Sequence, residues 1–222
     1  MIRAIIFDFD GLILETEEPV YQSWQEIFQE YGCTFTFDLF GTYIGTTGGA
    51  FNHLAELESQ LGEPLPYREI RQRRQAREME LVLKRSILPG VLDYLESAKA
   101  MGLKIGLASS SECAWVTGHL SRLGLIDYFD SIKGSDDVQN TKPNPELFLA
   151  SINDLGVSPD QAVVFEDSVN GIIAAKKAGL LCVWVPNFLT SRLSTDLADL
   201  RLESLEDMPL DELLQIIDNQ PR

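Results

Sequence analysis

Short apolar runs alternate with helical patterns along most of this chain. Between the runs, apolar residues recur every three or four positions and the periods end at glycines, which is typical of amphipathic helices. The runs themselves are short and most are rich in β-branched residues, which favours buried strands. They are Ala4–Phe7, Leu103–Ala108, Ser131–Gly134, Ala162–Phe165 and Leu181–Val185. This alternation predicts an α/β core, a doubly wound, Rossmann-like parallel sheet with right-handed crossovers.

The segment between the first and second of these runs departs from the alternation. Its apolar spacing predicts three helices, and no stretch in it is a convincing strand. Thr16 is a good N-cap for the first helix, and Glu17 and Glu18 suit the positive end of a helix. The second helix begins near Phe51, after a glycine- and threonine-rich loop from Gly41 to Gly49.

These patterns divide the chain into two predicted domains. Residues 1–15 and 88–222 form the α/β core, and residues 16–87 form an inserted all-helical cap. The two connections, near Thr16 and Ile87, can act as hinges, so that closure of the cap would exclude water from a site on the core.

The third cap helix is rich in basic residues. It carries seven of the eighteen lysines and arginines: Arg68, Arg71, Arg73, Arg74, Arg77, Lys84 and Arg85. We favour a solvated face balanced by Glu69, Glu78 and Glu80. The other interpretation is a surface that attracts anionic substrates.

Charge and cysteine content restrict the class of partner and the compartment. The 222 residues carry a net charge of −16, which disfavours nucleic acid and anionic membranes as general partners. No apolar run reaches the roughly 18 residues that a membrane span needs. The three cysteines are odd in number and lack the spacing of a metal site, which favours a reduced, cytoplasmic setting. We favour a monomer.

Two acids follow the first strand directly. Asp8 and Asp10 alternate with Phe7 and Phe9, so in extended backbone both carboxylates point to one side. At about 4 Å and an effective dielectric of about 20 they would repel by roughly 4 kcal/mol, which requires a cation or a shared proton. Taken alone, such a pair followed by Gly11 is as compatible with a turn or a helix cap as with a functional site.

Other polar residues follow later strands at the same edge of the predicted sheet. Ser109 and Ser110 follow the second run, Glu166 and Asp167 follow the fourth, and Lys142 lies in a loop before a helix. Each has a simple explanation as a cap, a turn or a loop residue. Together they provide carboxylates for Mg²⁺, and a hydroxyl run at a helix start with one ammonium for a phosphate. We therefore predict phosphoryl transfer.

Four ordered motifs resemble a known family. DFDGLILETE, LASSS, NTKPNPELF and VVFEDSVNG are similar to the motifs of the haloacid dehalogenase superfamily, in the subgroup of sugar-phosphate phosphatases and β-phosphoglucomutase with a helical cap. The resemblance covers nearly the whole chain, although the cap matches only in kind. It implies a Mg²⁺-dependent phosphatase, a phosphoric monoester hydrolase that acts on a small phosphorylated metabolite, with sugar or polyol phosphates favoured.

The resemblance also implies the roles of individual residues. Asp8 would be the nucleophile that forms an aspartyl-phosphate, and Asp10 would be the general acid and then the general base. Ser109 and Lys142 would hold the phosphoryl oxygens.

The same resemblance implies a metal site. The side chains of Asp8 and Asp167 and the backbone carbonyl of Asp10 would bind Mg²⁺, supported by Glu166.

A mutase of the same family is the main alternative. The mutase pattern has a histidine where this chain has Val20, an arginine where our alignment places Gly48, and a lysine and an asparagine where this chain has Glu112 and Cys113. Loss of these donors for a second phosphate favours water as the acceptor, so we predict hydrolysis.

Two further alternatives are weaker. A dehalogenase is disfavoured because that branch lacks the second acid, which is Asp10 here. A non-enzymatic phosphoacceptor module of the receiver type would be shorter and would lack the helical insert. His53 and His119 are isolated and are interpreted as structural or surface residues.

Overall fold

The computed structural model describes residues 1–41, 52–193 and 195–219. The chain forms two compact units, one of Met1–Leu14 with Ser86–Arg222 and one of Glu15–Arg85. The predicted loop from Gly41 to Gly49, apart from Gly41 itself, and the predicted helix start at Phe51 lie outside the described residues. No helix in the described part of the chain is long and apolar enough to cross a membrane.

The described residues of the smaller unit form helices joined by short loops, with no strand among them. Its helices are α1 (Glu17–Glu30), α2 (Phe37–Gly41), α3 (His53–Leu61) and α4 (Tyr67–Leu83). Aromatic rings fill its interior: Trp24 stacks on His53 with centroids 4.7 Å apart, and Phe28 packs on Phe35 at 4.8 Å. Burial lowers the pKa of His53 to about 4, so this histidine is neutral near pH 7 and structural.

The start of α1 is capped differently from the prediction. Thr16 occupies the N-cap position, but its side chain makes no capping hydrogen bond. Glu15 Oε1 instead accepts a hydrogen bond from the backbone N–H of Glu18 at 2.9 Å. The capping carboxylate thus comes from the residue before Thr16. It accepts from a backbone N–H that has no partner within the helix, and its negative charge suits the positive end of the helix.

Ion pairs balance most of the basic residues of α4 and of the two residues that follow it. Arg77 contacts Glu26 at 2.7 Å and Glu80 at 2.8 Å, and Arg74 contacts Glu78 at 2.6 Å. The remaining pairs are Arg73 with Glu30, Lys84 with Glu80 and Arg85 with Glu18. The expected neutralising acids all belonged to α4, but acids of α1 also neutralise part of this positive charge. These contacts favour the solvated-face interpretation, and a role in attracting substrate stays a prediction.

The larger unit contains a single parallel sheet among its described residues. Its strands are β1 (Ala4–Phe7), β2 (Lys104–Ala108), β3 (Ser131–Lys133), β4 (Ala162–Glu166), β5 (Leu181–Trp184) and β6 (Leu200–Arg201), in the order β3-β2-β1-β4-β5-β6. The strands alternate with α5 (Val91–Ala100), α6 (Cys113–Leu123), α7 (Glu146–Leu155), α8 (Val169–Lys177) and α9 (Leu210–Asn219). The predicted fold class is confirmed.

The central strands are fully buried because helices cover the sheet. All residues of β1 and β4 are buried, and the rings of Phe7 and Phe165 stack across the two strands at 5.2 Å. Close packing of α7 on β2 needs Gly106, because a Cβ there would lie 2.6 Å from Ser151 Oγ. Tight packing on both sides holds the carboxyl ends of these strands in fixed positions.

We predict that Gly90→Ala destabilises the protein far more than Gly102→Ala. Both glycines have a left-handed backbone, with φ of +76° and +71°, so both substitutions carry a strain of about 1–2 kcal/mol. Only at Gly90 would the new Cβ also meet rigid backbone, 2.5 Å from the carbonyl carbon of Leu205. Urea unfolding of the two variants measures the difference, and equal losses would contradict the packing argument.

Candidate active site

Three neighbouring strands bring the predicted site residues together. Phe7, at the end of β1, lies opposite Leu107 of β2 on one side and Phe165 of β4 on the other. The strands therefore end nearly level, and Asp8, Ser109 and Asp167 follow them at one edge of the sheet. This is the edge at which open α/β sheets bind ligands.

A buried ammonium group links two of these strand ends. Lys142 lies in the loop before α7, and its Nζ is 2.5 Å from Asp8 Oδ1 and 2.5 Å from Glu166 Oε1. The same Nζ lies 4.9 Å from the centroid of the Phe148 ring, which favours a cation above its face. All three charged side chains are buried, so their electrostatic interactions are screened little by water.

Burial and charge act in opposite directions on the protonation of this cluster. Burial raises the pKa of Asp8 to about 8, and Lys142 opposes that rise while Glu166 and Asp10 add to it. Burial alone would lower the pKa of Lys142, but the carboxylates of Asp8 and Glu166 raise it, so the ammonium stays charged. The Asp8 carboxylate therefore needs further positive charge to be fully ionised near pH 7.

Glu166 is held in place by the start of α8. Its Oε2 accepts hydrogen bonds from both the backbone N–H and the hydroxyl of Ser168, each at 3.0 Å. Ser168 is the N-cap of α8, and its hydroxyl oxygen accepts from the N–H of Gly171 at 3.1 Å. A Cβ at Gly171 would lie 1.8 Å from Glu166 Oε1, so this position must be glycine for the carboxylate to fit.

Asp167 is oriented by the loop after β5. Asn187 Nδ2 donates a hydrogen bond to Asp167 Oδ2 at 2.8 Å, and Trp184 Nε1 donates to the Asp167 carbonyl at 2.8 Å. The turn after Asp10 comes close to this pair, since a Cβ at Gly11 would lie 2.4 Å from Asn187 Nδ2. Gly11 also has φ of +80°, so both the backbone conformation and the close approach require glycine.

Asp10 has a different environment from Asp8. It is half-buried, and its carboxylate accepts hydrogen bonds from the Ser109 hydroxyl at 3.3 Å, the Ser111 hydroxyl at 2.6 Å and Trp115 Nε1 at 3.1 Å. Ser110 is exposed, and no hydrogen bond joins its side chain to the described residues. Its predicted part in phosphate binding stays a prediction.

The carboxylates of Asp8, Glu166 and Asp167 can meet at one cation. Each offers an oxygen, and these oxygens lie within 4.8 Å of one another. Both oxygens of Glu166 accept hydrogen bonds, but among the described residues no donor reaches Asp8 Oδ2. Hard oxygen ligands are those that Mg²⁺ prefers, and a cation would supply the positive charge that Asp8 lacks. The residues present therefore fit the predicted metal.

A second acidic cluster lies at the start of α6. The Cys113 N–H donates to Asp136 Oδ1 at 2.8 Å, and the Cys113 thiol donates to Asp137 Oδ2 at 3.0 Å. Burial, followed by the hydrogen bonds to these carboxylates, raises the pKa of Cys113 to about 12. These contacts are explained by capping of the local backbone and do not by themselves define a site.

Several residues at the site were not predicted from the sequence. They are Ser111, Trp115, Ser168, Gly171 and Asn187, and each contacts a predicted acid or leaves room for one. Ser111 could have been predicted, because it belongs to the same run of serines as Ser109. His119 is buried against the rings of Phe9 and Trp115, in agreement with its structural interpretation.

Comparison with known proteins identifies the family. The profile of the family described as haloacid dehalogenase-like hydrolase matches residues 5–185. The chain is 49% identical over 220 residues to the Bacillus subtilis protein named "Putative phosphatase YhcW", covering 99% of this chain and 100% of the relative. It is 32% identical over 180 residues to the phosphorylated carbohydrates phosphatase of Thermotoga maritima, covering 81% and 82% of the two chains.

A solved structure shares the fold at lower identity. The beta-phosphoglucomutase of Clostridium difficile superposes with a TM-score of 0.76 and 26% identity, covering 98% of each chain. Together with the matched profile, these relatives show that the chain belongs to the haloacid dehalogenase-like hydrolase family. The predictions of this family and of a phosphatase enzyme are confirmed.

We predict that Gly171→Ala lowers phosphatase activity more than tenfold, whereas Gly118→Ala does not. Both glycines lie inside helices, where alanine is favoured by up to about 1 kcal/mol, and a Cβ at Gly118 meets nothing within 4 Å. At Gly171 the Cβ must displace the Glu166 carboxylate and so disturb Lys142. Steady-state assays with unfolding curves separate this effect from loss of fold. Full activity in Gly171→Ala would show that the position of Glu166 is not required.

Proposed function

We propose that this chain is a Mg²⁺-dependent phosphatase that hydrolyses small phosphomonoesters, with sugar or polyol phosphates favoured, through a phosphorylated Asp8. The observation that carries the proposal is the buried bridge from Lys142 to Asp8 and Glu166. It places a permanent positive charge beside a carboxylate that has one oxygen without a donor among the described residues. The name of the Thermotoga maritima relative supports the substrate class.

The different environments of the two acids support two different roles. Asp8 is paired with an ammonium group, which opposes the effect of burial and favours the ionised form that a nucleophile needs. Asp10 is half-buried and held by neutral donors, so it can gain and lose a proton while keeping its place. Environments that differ in this way are how one site runs nucleophilic and acid–base chemistry at the same pH.

The reaction then has two steps. An Asp8 oxygen attacks phosphorus while the bond to the alcohol breaks, and Asp10 gives its proton to the leaving oxygen. In the second step Asp10 takes a proton from water, whose oxygen attacks phosphorus and frees Asp8. Lys142 offsets the repulsion between the carboxylate and the phosphoryl group, and Ser109 donates to a phosphoryl oxygen. The side chains of Asp8 and Asp167 and the backbone carbonyl of Asp10, with Glu166 in support, would hold Mg²⁺, which would add positive charge at the same place.

The helical unit supplies the remainder of the proposal. We infer that residues 16–87 act as a cap that moves at hinges near Thr16 and Ile87 and contributes specificity. Val20 lies on α1 and is apolar, so it offers no hydrogen bond to Asp10. The cytoplasmic location and the monomeric state belong to the proposal as well.

The surroundings of α6 favour hydrolysis over mutase activity. Glu112 is exposed, and the Cys113 N–H and thiol already donate to Asp136 and Asp137. A second phosphate would meet three carboxylates here instead of donors. Gly48, the other departure from the mutase pattern, lies outside the described residues.

We predict that the purified protein releases inorganic phosphate from some member of a panel of sugar, polyol and nucleoside monophosphates in the presence of Mg²⁺. EDTA should abolish release and added Mg²⁺ should restore it, because Asp8 needs the additional positive charge. Full activity in EDTA would remove the metal from the proposal. Faster conversion of β-glucose 1-phosphate to glucose 6-phosphate than phosphate release, with a bisphosphate primer, would favour the mutase.

We predict that Asp8→Asn abolishes phosphoenzyme formation, since an amide cannot replace the nucleophile. Asp10→Asn should keep metal affinity and lose about 10²–10⁴-fold in rate, the usual contribution of general acid–base catalysis. Asp93→Asn, an exposed acid of α5, is the matched control and should be unchanged. Labelled phosphate on any residue other than Asp8 would contradict the mechanism.

A further inference from the structure

The two oxygens of the Asp10 carboxylate have different partners. Oδ1 accepts a hydrogen bond from Trp115 Nε1 at 3.1 Å. Oδ2 accepts from the Ser111 hydroxyl at 2.6 Å and from the Ser109 hydroxyl at 3.3 Å. Donors on both oxygens fix the rotation of the carboxylate about its last side-chain bond.

The chemistry of these donors makes the oxygens unequal. An indole N–H can only donate, whereas a hydroxyl can donate or accept. A proton on Oδ1 would therefore weaken the hydrogen bond from Trp115, because a protonated carboxyl oxygen is a poorer acceptor and the indole N–H cannot accept in return. A proton on Oδ2 is tolerated, because the Ser111 hydroxyl can rotate and accept.

The Ser109 hydroxyl is already shared. Its oxygen accepts from the Ser111 N–H at 3.0 Å, and its single proton is the one that the proposed phosphoryl contact would use. When a phosphoryl oxygen takes this proton, Ser109 no longer donates to Asp10. Ser111 and Trp115 are then the described side chains that hold the carboxylate.

We propose that Trp115, together with Ser111, is a positioning residue that keeps the transferable proton of Asp10 on Oδ2, the oxygen beside Ser109. The proposal rests on the proposed function. In the first step the Oδ2 proton passes to the alcohol oxygen as its bond to phosphorus breaks, and in the second step Oδ2 takes a proton from the attacking water.

The packing of α6 makes Trp115 suitable for this role. Its ring meets the edge of His119 with centroids 4.3 Å apart, and Arg122 Nε donates to His119 Nδ1 at 3.4 Å. Trp115 is thus supported from within its own helix, one turn away. Among the described residues, Asp8 and His119 are ionisable groups that interact electrostatically with Asp10.

The hydrogen bond can be tested without any substrate. The chain has three tryptophans, so the indole region of a ¹H–¹⁵N spectrum holds three signals, and Trp115→Phe assigns one of them. In Asp10→Ala we expect the Trp115 signal to move upfield, while those of Trp24 and Trp184 stay in place. An unmoved Trp115 signal would overturn the proposal even if the protein had no phosphatase activity.

Kinetics test what the hydrogen bond does. Trp115→Phe keeps an aromatic ring against His119 but removes the donor. For the sugar phosphate hydrolysed fastest in the panel, we expect phosphoenzyme formation in rapid-quench experiments to slow roughly 10- to 100-fold, the worth of a hydrogen bond to a charged group. For p-nitrophenyl phosphate, whose leaving group needs no proton, formation should stay near the wild-type rate while breakdown slows.

Further variants separate positioning from folding. Ser111→Ala should reproduce the split between the two esters and Ser111→Thr, which keeps the hydroxyl, should restore the wild-type pattern. Thr117→Val is the control, since Thr117 donates only to the Cys113 carbonyl within α6. Equal slowing with both esters, or no slowing in Trp115→Phe, would overturn the inference alone. A wild-type protein that forms no phosphoenzyme would instead contradict the proposed function.

Discussion

The buried ammonium of Lys142 is the interaction on which the site depends. Removing a charged group from water costs several kcal/mol unless partners and hydrogen bonds compensate. Lys142 has two carboxylate partners, Asp8 and Glu166. The second oxygen of Glu166 accepts a hydrogen bond from the Ser168 hydroxyl. Because these residues come from the end of β1, the loop before α7, the end of β4 and the start of α8, the pairing requires the whole sheet edge to be in register.

The same pairing limits what else the site can accept. When all three are ionised, Asp8, Glu166 and Asp167 carry three negative charges against the one positive charge of Lys142, and their oxygens converge. One divalent cation would bring this buried group to neutrality. Asp10 has no ammonium partner among the described residues, and neutral donors hold its carboxylate instead. Two acids only two residues apart thus have different environments, which is the basis for the two roles proposed for them.

The sequence predicted the parts of the fold that repeat a strong pattern. The five main strands and the helices that end at glycines such as Gly62 and Gly124 were found because burial and left-handed caps leave clear signals. The two-residue strand β6 and the five-residue α2 are too short to show a period. Helix α9 was not predicted, although its buried residues Leu210, Leu213, Leu214 and Ile217 have helical spacing.

The acids, the serine and the lysine of the site could be predicted because residue type and position after a strand carry the signal. Their supporting residues could not. Trp115 has the spacing of an ordinary packing residue of α6, and only the placement of that helix turns its N–H toward Asp10. Asn187 lies 20 residues after Asp167, in a loop whose path the sequence does not define. Nothing in the sequence distinguishes Gly171 from other helical glycines, because its close approach to the Glu166 carboxylate is visible only in the structure.

The contacts of Cys113 have a consequence for the chemistry near the active site. Thiols react with oxidants and electrophiles as thiolates, and a pKa of about 12 leaves almost no thiolate at neutral pH. Burial, followed by the hydrogen bonds to Asp136 and Asp137, therefore disfavours the thiolate of Cys113, which lies two residues before Trp115 in α6. We therefore expect the Cys113 thiol, close as it is to the proposed acid–base residues, to react slowly with peroxide and with alkylating reagents at neutral pH.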